Sequence, residues 1–306
     1  MYDVIIVGAG PAGLNAALVL GRCRRGVLVL DDGHPRNASS RALHGFFTRD
    51  GTDPREMLAL GREELGRYPP VEIRAEHASD ARREDNRFTL TLATGEEVES
   101  AFVLLATGVV DELPPVPGIE AFYGRSVHHC PYCDGWEHSD EAIAVYGDNE
   151  PAVDLALELT AWSRGLALVT DGPARLSQRQ RKRLREQDIA IYEQRIERLR
   201  GRDGTLEAIA FADGTSLTCG AIFFRGKKRQ RSDLAERLGC VPDETGMVPT
   251  GKYEATDIPG LFIAGDAARS IQLAIIAASE GASAAVLIND ALIKRDLARY
   301  ARHASR

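Results

Sequence analysis

The sequence predicts an α/β fold carrying two Rossmann-like, dinucleotide-binding units with parallel sheets. Three observations lead there. A strand, a Gly-x-Gly-x-x-Gly turn, a helix and a second strand ending on an acid follow one another over residues 2–31. A weaker copy of that pattern begins near Ala142. Between the copies lies His128-His129-Cys130-Pro131-Tyr132-Cys133-Asp134-Gly135-Trp136, whose cysteine spacing suits a redox-active disulfide.

Tyr2 to Val7 (YDVIIV) reads as a fully buried strand. An Ala/Leu-rich helix runs from the glycine turn to about Arg22, and Val27 to Leu30 form the next strand, ending on Asp31. Gly8, Gly10 and Gly13 supply a tight turn, close backbone approach to a pyrophosphate, and close helix–strand packing. Pro11 and Ala12 open the helix, whose N-terminus faces the phosphates, and Asp31 can accept hydrogen bonds from a ribose. A loop spans Gly33 to Gly51, containing Pro35-Arg36-Asn37 and His44-Gly45-Phe46-Phe47. The helix after it has Asp53 as N-cap and Pro54 at its first position. Runs at Val71 to Ala75, Arg87 to Leu92 and Glu97 to Ser100 suggest a meander turning at Thr94-Gly95. Phe102 to Ala106 is a buried strand leading into Ala106-Thr107-Gly108, and the Pro-rich Leu113 to Gly118 marks a domain boundary.

In the second unit, Ala142 to Tyr146 is a strand, Gly147 to Ala152 a turn, Val153 to Arg164 a helix and Leu166 to Thr170 a strand, followed by Asp171. Asn149 stands where the fingerprint calls for glycine, and its side chain would obstruct a pyrophosphate against the backbone. Ser177 to Gln187 is a charged helix with a solvated face. Glu207 to Phe211 and Ala221 to Phe224 are strands, Ser232 to Leu238 a short helix, and Asp243 to Thr250 the linker back. Leu261 to Asp266 is a last strand ending on Gly-Asp. A helix from about Gln272 to Lys294 finishes the fold, with Arg299 to Arg306 expected to fray.

The 306 residues suit two domains, each able to bury a core. A net charge of -7 argues against a nucleic-acid partner. No uninterrupted apolar run approaches the roughly 18 residues of a membrane span. The first strand begins at Tyr2, so no signal peptide is expected; a cytoplasmic location follows, where thiols are kept reduced and a Cys-x-x-Cys pair is catalytic rather than a staple. Cys23, Cys219 and Cys240 stand alone, and His128, His129 and His138 crowd too closely to reach one ion together. No metal is expected. A zinc half-site and an inert pair stay as alternatives to the redox reading.

Together, Gly8-x-Gly10-x-x-Gly13, Ala106-Thr107-Gly108, Cys130-x-x-Cys133-Asp134-Gly135 and Thr256-x-Ile258-Pro259-Gly260-Leu261-Phe262-x-Ala264-Gly265-Asp266 resemble the low-molecular-weight thioredoxin reductase family over nearly the whole chain. The resemblance implies an FAD domain in two pieces, 1–115 and 247–306, with an NAD(P)H-binding-like domain, 118–243, inserted between them and carrying the cysteines. It also implies a homodimer. Gly8, Gly10, Pro11, Ala12, Gly13 and Asp31 would hold the FAD adenosine and pyrophosphate, and His44, Ala106, Thr107, Gly108, Gly265 and Asp266 would line the same cofactor. Gln272, Leu273 and Ala274 would pass close to the flavin ring. Cys133 would be the flavin-proximal cysteine, Cys130 the interchange thiol, and Asp134 the proton shuttle. His128 and His129 are candidates to stabilise a thiolate or act as base.

Two departures qualify the resemblance. The family's Gly-x-Gly-x-x-Ala turn and following His-Arg-Arg run, which read NADPH, are replaced by Gly147-Asp148-Asn149-Glu150-Pro151-Ala152 and Thr170-Asp171-Gly172. The family's Arg-Gln-Ala near the flavin is Gln272-Leu273-Ala274. NAD(P)H use is therefore doubtful. The favoured expectation is a dithiol oxidase, closing disulfides in a small molecule or a thioredoxin-like protein. An NAD(P)H-dependent reductase, a ferredoxin- or flavin-fed reductase and a redox-sensing flavoprotein are the alternatives. Cys-Pro-Tyr-Cys also matches glutaredoxins, but those chains are far shorter and place the motif after their first strand.

Overall fold

The computed structural model describes residues 1–304, with side chains through 301. The N-terminal unit forms as expected: strand Tyr2–Val7, helix Pro11–Arg22 and strand Val27–Leu30. Five parallel strands lie in the order Val71–Arg74, Val27–Leu30, Tyr2–Val7, Glu97–Leu105, Leu261–Ile263. Alternation along Tyr2–Val7 sends Val4 and Ile6 into one core with the helices and Ile5 and Val7 into another beneath the sheet.

The meander differs from expectation. Val71–Arg74 pairs in parallel with Val27–Leu30, and the meander's first strand is Ala78–Glu84, antiparallel to Arg87–Leu92. Ala78–Glu84 (ASDARRE) buries only Ala78 and Ala81 and offers no apolar alternation to read. The runs at Glu97 and Phe102 are one strand, Glu97–Leu105; its first half pairs with Arg87–Leu92 and its second half with the parallel strands.

The second sheet is also parallel, in the order Ala190–Tyr192, Leu166–Val169, Ile143–Tyr146, Ala221–Phe224, Val127–His128. A three-stranded meander adjoins it, of which Ile196–Arg202 and Ser216–Thr218 were not anticipated. The helix expected over Val153 to Arg164 is Glu150–Glu158 followed by a 3-10 turn, Leu159–Ala161. It begins three residues early because Asn149 caps it with Pro151 in the first turn. The basic helix, Gln178–Arg185, is partly paired rather than merely solvated: Arg183 bridges Glu150 and Asp154.

The two units are joined by an antiparallel ribbon, Val109–Asp111 against Lys228–Gln230. Past it, Leu234, Ala235 and Leu238 pack into the lower core of the first unit. The chain has thus returned to that unit before the Asp243 to Thr250 segment where the linker was expected.

The last helix is Ala274–Ala304, starting later and running further than Gln272 to Lys294. It continues through the part of Arg299 to Arg306 expected to fray, save residues 305 and 306, which lie outside the described residues. By length and composition it could cross a membrane, yet Ala284, Ala285, Ile288 and Leu292 are buried against the first helix. The two helices touch backbone to backbone, since a methyl group on Gly281 would lie 2.0 Å from the Ala12 carbonyl oxygen. Gly281→Ala is therefore expected to lower stability by roughly 1–3 kcal/mol through overpacking, despite the ~1 kcal/mol that alanine gains in helix propensity. Urea unfolding checks this; an unchanged or raised midpoint would contradict the close crossing.

Candidate active site

The glycine turn is made by contacts that exclude side chains. A methyl on Gly8, whose φ is +104°, would fall 2.4 Å from the Ala106 carbonyl oxygen, and one on Gly13 would fall 1.9 Å from that of Gly8. Gly10 differs: nothing lies within 4 Å of the position its Cβ would take, so a glycine here leaves open space beside the helix start. Gly10 is also the N-cap and gives no side-chain cap, so first-turn amides face that space. Asp31 accepts from the Ala9 amide at 3.1 Å and from Arg62 at 2.7 Å, tying the second strand's end to the turn.

A cleft of about 1630 Å³, counting its open mouth, runs from this turn to the cysteine motif. It is lined by Gly8, Gly10, Pro11, Ala12, Asp31, His44, Ala106, Thr107, Gly108, Gly265, Asp266, Gln272, Leu273 and Ala274. His129, Cys133 and Asp134 line its far end. Every expected cofactor-contacting residue except Gly13 thus meets one cavity; Gly13 lies beneath the turn it packs. An open glycine turn, uncapped amides, an acid at the second strand's end and one continuous cavity suit a dinucleotide such as FAD.

The cysteines are positioned by the edge strand Val127–His128. Cys130 caps the short helix Pro131–Asp134 in extended conformation, with Pro131 at the first position. Cys133, one turn later, is disulfide-bonded to it, with the Cα atoms 5.3 Å apart. Cys133 lines the cleft and Cys130 does not. Gly135 is required by packing: a methyl there would be 2.5 Å from the Pro131 carbonyl oxygen and 3.0 Å from the Trp162 ring. Asp134 belongs to the helix and is not its cap. Tyr132 and Trp136 are exposed, Tyr132 resting edge-on against Trp162.

The middle of the cleft holds a charge cluster that the sequence did not signal. Arg36 donates two hydrogen bonds to Asp111, at 2.7 and 2.6 Å, one to Asp266 at 2.7 Å and one to Gln272 at 2.8 Å. Its Nη2 also lies 3.1 Å from His129 Nε2. Arg36 has no acceptor, so Nε2 accepts, and His129 must carry its proton on Nδ1, 3.2 Å from the Tyr123 hydroxyl. Tyr123 in turn donates to Asp111 at 2.9 Å. Burial pushes the Asp111 carboxyl up, but the hydrogen bond from Arg36, the neighbouring positive charge and the Tyr123 hydroxyl together hold it below the ordinary carboxylate range. Burial, helped by the Arg36 charge, pushes the His129 imidazole down to about 4.

His129 is therefore engaged by Arg36 and Tyr123 and held neutral. His128 takes the contact with the motif instead: its Nδ1 is 3.2 Å from Asp134 Oδ1. His44 lies 3.3 Å from Glu137 at the rim. Arg36, Asp111 and Tyr123 escaped notice because each is an ordinary residue in its own segment.

The second glycine turn is built differently. Asn149 caps its helix, the side chain accepting from the Ala152 amide at 3.1 Å. Asp171 is turned inward, accepting from the Ile196 amide at 2.7 Å, and Arg175 leans on Asp148 at 3.5 Å. The amide and the acid that a nucleotide would use are both engaged within the protein.

A histidine held neutral costs stability once the unfolded chain can bind a proton. With His129 at about 4 in the fold against 6.5 in the unfolded chain, stability rises with pH between those values. Screening by the open cleft leaves an effect on the order of 2 kcal/mol. His129→Gln is expected to flatten this slope in denaturant midpoints measured from pH 4 to 7; an unchanged slope would contradict the neutral assignment.

Residues 2–281 match the family model described as pyridine nucleotide-disulphide oxidoreductase. The chain is 30% identical over 302 residues to thioredoxin reductase aclD of Aspergillus oryzae, covering 94% of this chain and 95% of that one. It is 29% identical to the thioredoxin reductase of Treponema pallidum, covering 93% and 95%. The crystal structure of HlmI superposes with a TM-score of 0.95 at 35% identity, covering 100% of this chain and 96% of that one. The chain belongs to the pyridine nucleotide-disulphide oxidoreductase family, as a thioredoxin reductase-like, two-Rossmann-domain oxidoreductase.

Proposed function

We propose that the chain is an FAD-dependent dithiol oxidase that closes disulfides in a small molecule or a thioredoxin-like protein, without efficient use of NADPH. The observation that carries this reading is the contrast between the two nucleotide turns. Gly10 leaves the first helix's amides free, whereas Asn149 closes the second helix with its own side chain. Asp171 stands where the family's cationic run would meet a 2′-phosphate, and its negative charge disfavours one.

Gly8, Gly10 and the first helix's amides would hold the FAD pyrophosphate, Asp31 a ribose, and Leu273 and Ala274 would lie toward the ring. When bound, FAD supplies a two-electron acceptor that dioxygen can reoxidise. A substrate thiolate attacks Cys130 Sγ, which the cleft leaves on its outer side; the S–S bond breaks and Cys133 departs as a thiolate facing the cleft. The second substrate thiol loses its proton and attacks its partner sulfur, expelling Cys130 as a thiolate. In sum, dithiol plus dioxygen gives disulfide plus hydrogen peroxide. Val286, Ile293, Leu297 and Tyr300, exposed along the last helix, supply an apolar face for a homodimer.

Anaerobic stopped-flow of the flavin-loaded protein tests this. Dithiothreitol is expected to bleach the flavin within the mixing experiment, NADPH at least tenfold more slowly, and air to restore the colour. Rapid bleaching by NADPH would overturn the reading in favour of a reductase. Cys133→Ser should abolish bleaching while the free Cys130 thiol is still captured as a mixed disulfide by an added disulfide such as oxidised glutathione, with release of one thiol; retained bleaching would reverse the two roles.

A further inference from the structure

A second hydrogen-bonded chain leaves the cysteine motif on the side away from Arg36. Asp134 Oδ1 faces His128 Nδ1 at 3.2 Å, His128 Nε2 faces His138 Nε2 at 3.1 Å, and His138 Nδ1 faces Glu141 Oε2 at 2.8 Å. His128 is buried at 5% exposure, so water does not substitute for these partners. His138 is nearly covered, and Glu141 is half exposed at 49% of its side chain. The chain thus runs from the cleft through the protein to solvent.

Its geometry fixes a proton count. Ionised carboxylates only accept, so each Nδ1 facing one must carry a proton. The two Nε2 atoms face each other and need one proton between them. Three ring protons on two imidazoles is one more than two neutral rings hold. Phe223 packs on both rings, 5.3 Å from His128 and 6.2 Å from His138, and brings no charge. Tyr123 and His129 face Asp134 from the cleft, and Glu137, which precedes His138 in the chain, pairs with His44. Among the described residues no group of three or more His, Cys, Asp or Glu side chains is disposed to hold a metal.

We propose that Asp134, His128, His138 and Glu141 form a proton relay between the redox disulfide and solvent. The proposal rests on the reading of Cys130–Cys133 as redox-active, but not on the direction of turnover. Closing a substrate disulfide takes two electrons and two protons from the dithiol. The electrons pass to the cysteine pair, and the protons must be taken up or released beside Cys133, where Asp134 lines the same cleft. To supply a proton, His128 gives its Nδ1 proton to Asp134 as the shared proton settles on His128 Nε2, leaving one N–H on each ring. To take one up, Asp134 returns a proton to the vacated His128 Nδ1, the shared proton crosses to His138, and His138 gives its Nδ1 proton to Glu141 and water. Each transfer changes the ring total by one, and Glu141 restores the third proton from water. His128, His138 and Glu141 act through Asp134 and are positioning residues.

Two measurements test the relay. Nitrogen-15 histidine NMR of the holoenzyme near pH 7 should find three protonated ring nitrogens over His128 and His138, including both Nδ1 atoms; one N–H on each ring would overturn the proposal. In anaerobic stopped-flow with dithiothreitol, His138→Gln should slow flavin bleaching by about tenfold or more between pH 6.5 and 8, an indirect share of the usual general acid–base effect. Imidazole added to His138→Ala should restore part of that loss, and Glu141→Gln should cost only a few-fold because water reaches its site. Thiol counts before and after denaturation confirm that each variant keeps its disulfide. A His138→Gln rate equal to wild type across this range, or a His138→Ala loss that imidazole leaves untouched, would sink the relay alone. Failure of dithiothreitol to bleach the wild-type flavin would sink the redox reading and the relay with it.

Discussion

Everything in the cleft depends on backbone-to-backbone contact around the first helix. Gly13 sits on the Gly8 carbonyl and Gly281 on that of Ala12, so the turn, the first helix and the last helix are fixed against each other without intervening side chains. The consequence is positional. Gly265 and Asp266 leave the last parallel strand directly beside that turn, and Gln272 to Ala274 enter the final helix along the same cavity. Residues nearly 270 positions apart in sequence share one wall because three glycines allow close approach.

Legibility in the sequence followed how local the physics was. The first βαβ unit could be read to its ends because turn, helix start and strand acid lie within one short segment. Ala78–Glu84 could not, because its partner strands rather than its own pattern make it a strand. The same divide holds in the site. The cysteines, Asp134 and the cleft-lining glycines belong to recognisable motifs. Arg36, Asp111 and Tyr123 come from a loop, a crossover strand and a turn, and only folding brings their charges together. His138 is legible in the sequence only as a candidate metal ligand, because its partner is another histidine ten residues earlier that folding brings to it.

The two Rossmann units differ in the residue at the start of the first helix turn. With glycine at the cap, the amides stay available and negative charge from outside is favoured. With asparagine, the amide is satisfied internally and the helix is stabilised instead, by roughly 1 kcal/mol. Asp171 completes the change by serving as a backbone acceptor. The second unit's parallel sheet carries, on an edge strand, the residues that lead into the cysteine pair.

That placement gives the disulfide two different electrostatic neighbours. Toward the first unit, burial and the Arg36 charge hold His129 neutral against the pull of Asp111, an arrangement that orients groups without exchanging protons. Toward the second unit, His128 and His138 stand between two carboxylates, an arrangement whose hydrogen bonds cannot all be made unless a proton is shared. Adjacent histidines at one strand end therefore serve opposite purposes: His128 meets Asp134 and His138, and His129 meets Arg36 and Tyr123. A single-residue shift of register at this strand would exchange them. The pairing of Val127 and His128 with Ile222 and Phe223 is what prevents it, so the edge strand's short register is as much a determinant of the chemistry as the cysteines it leads into.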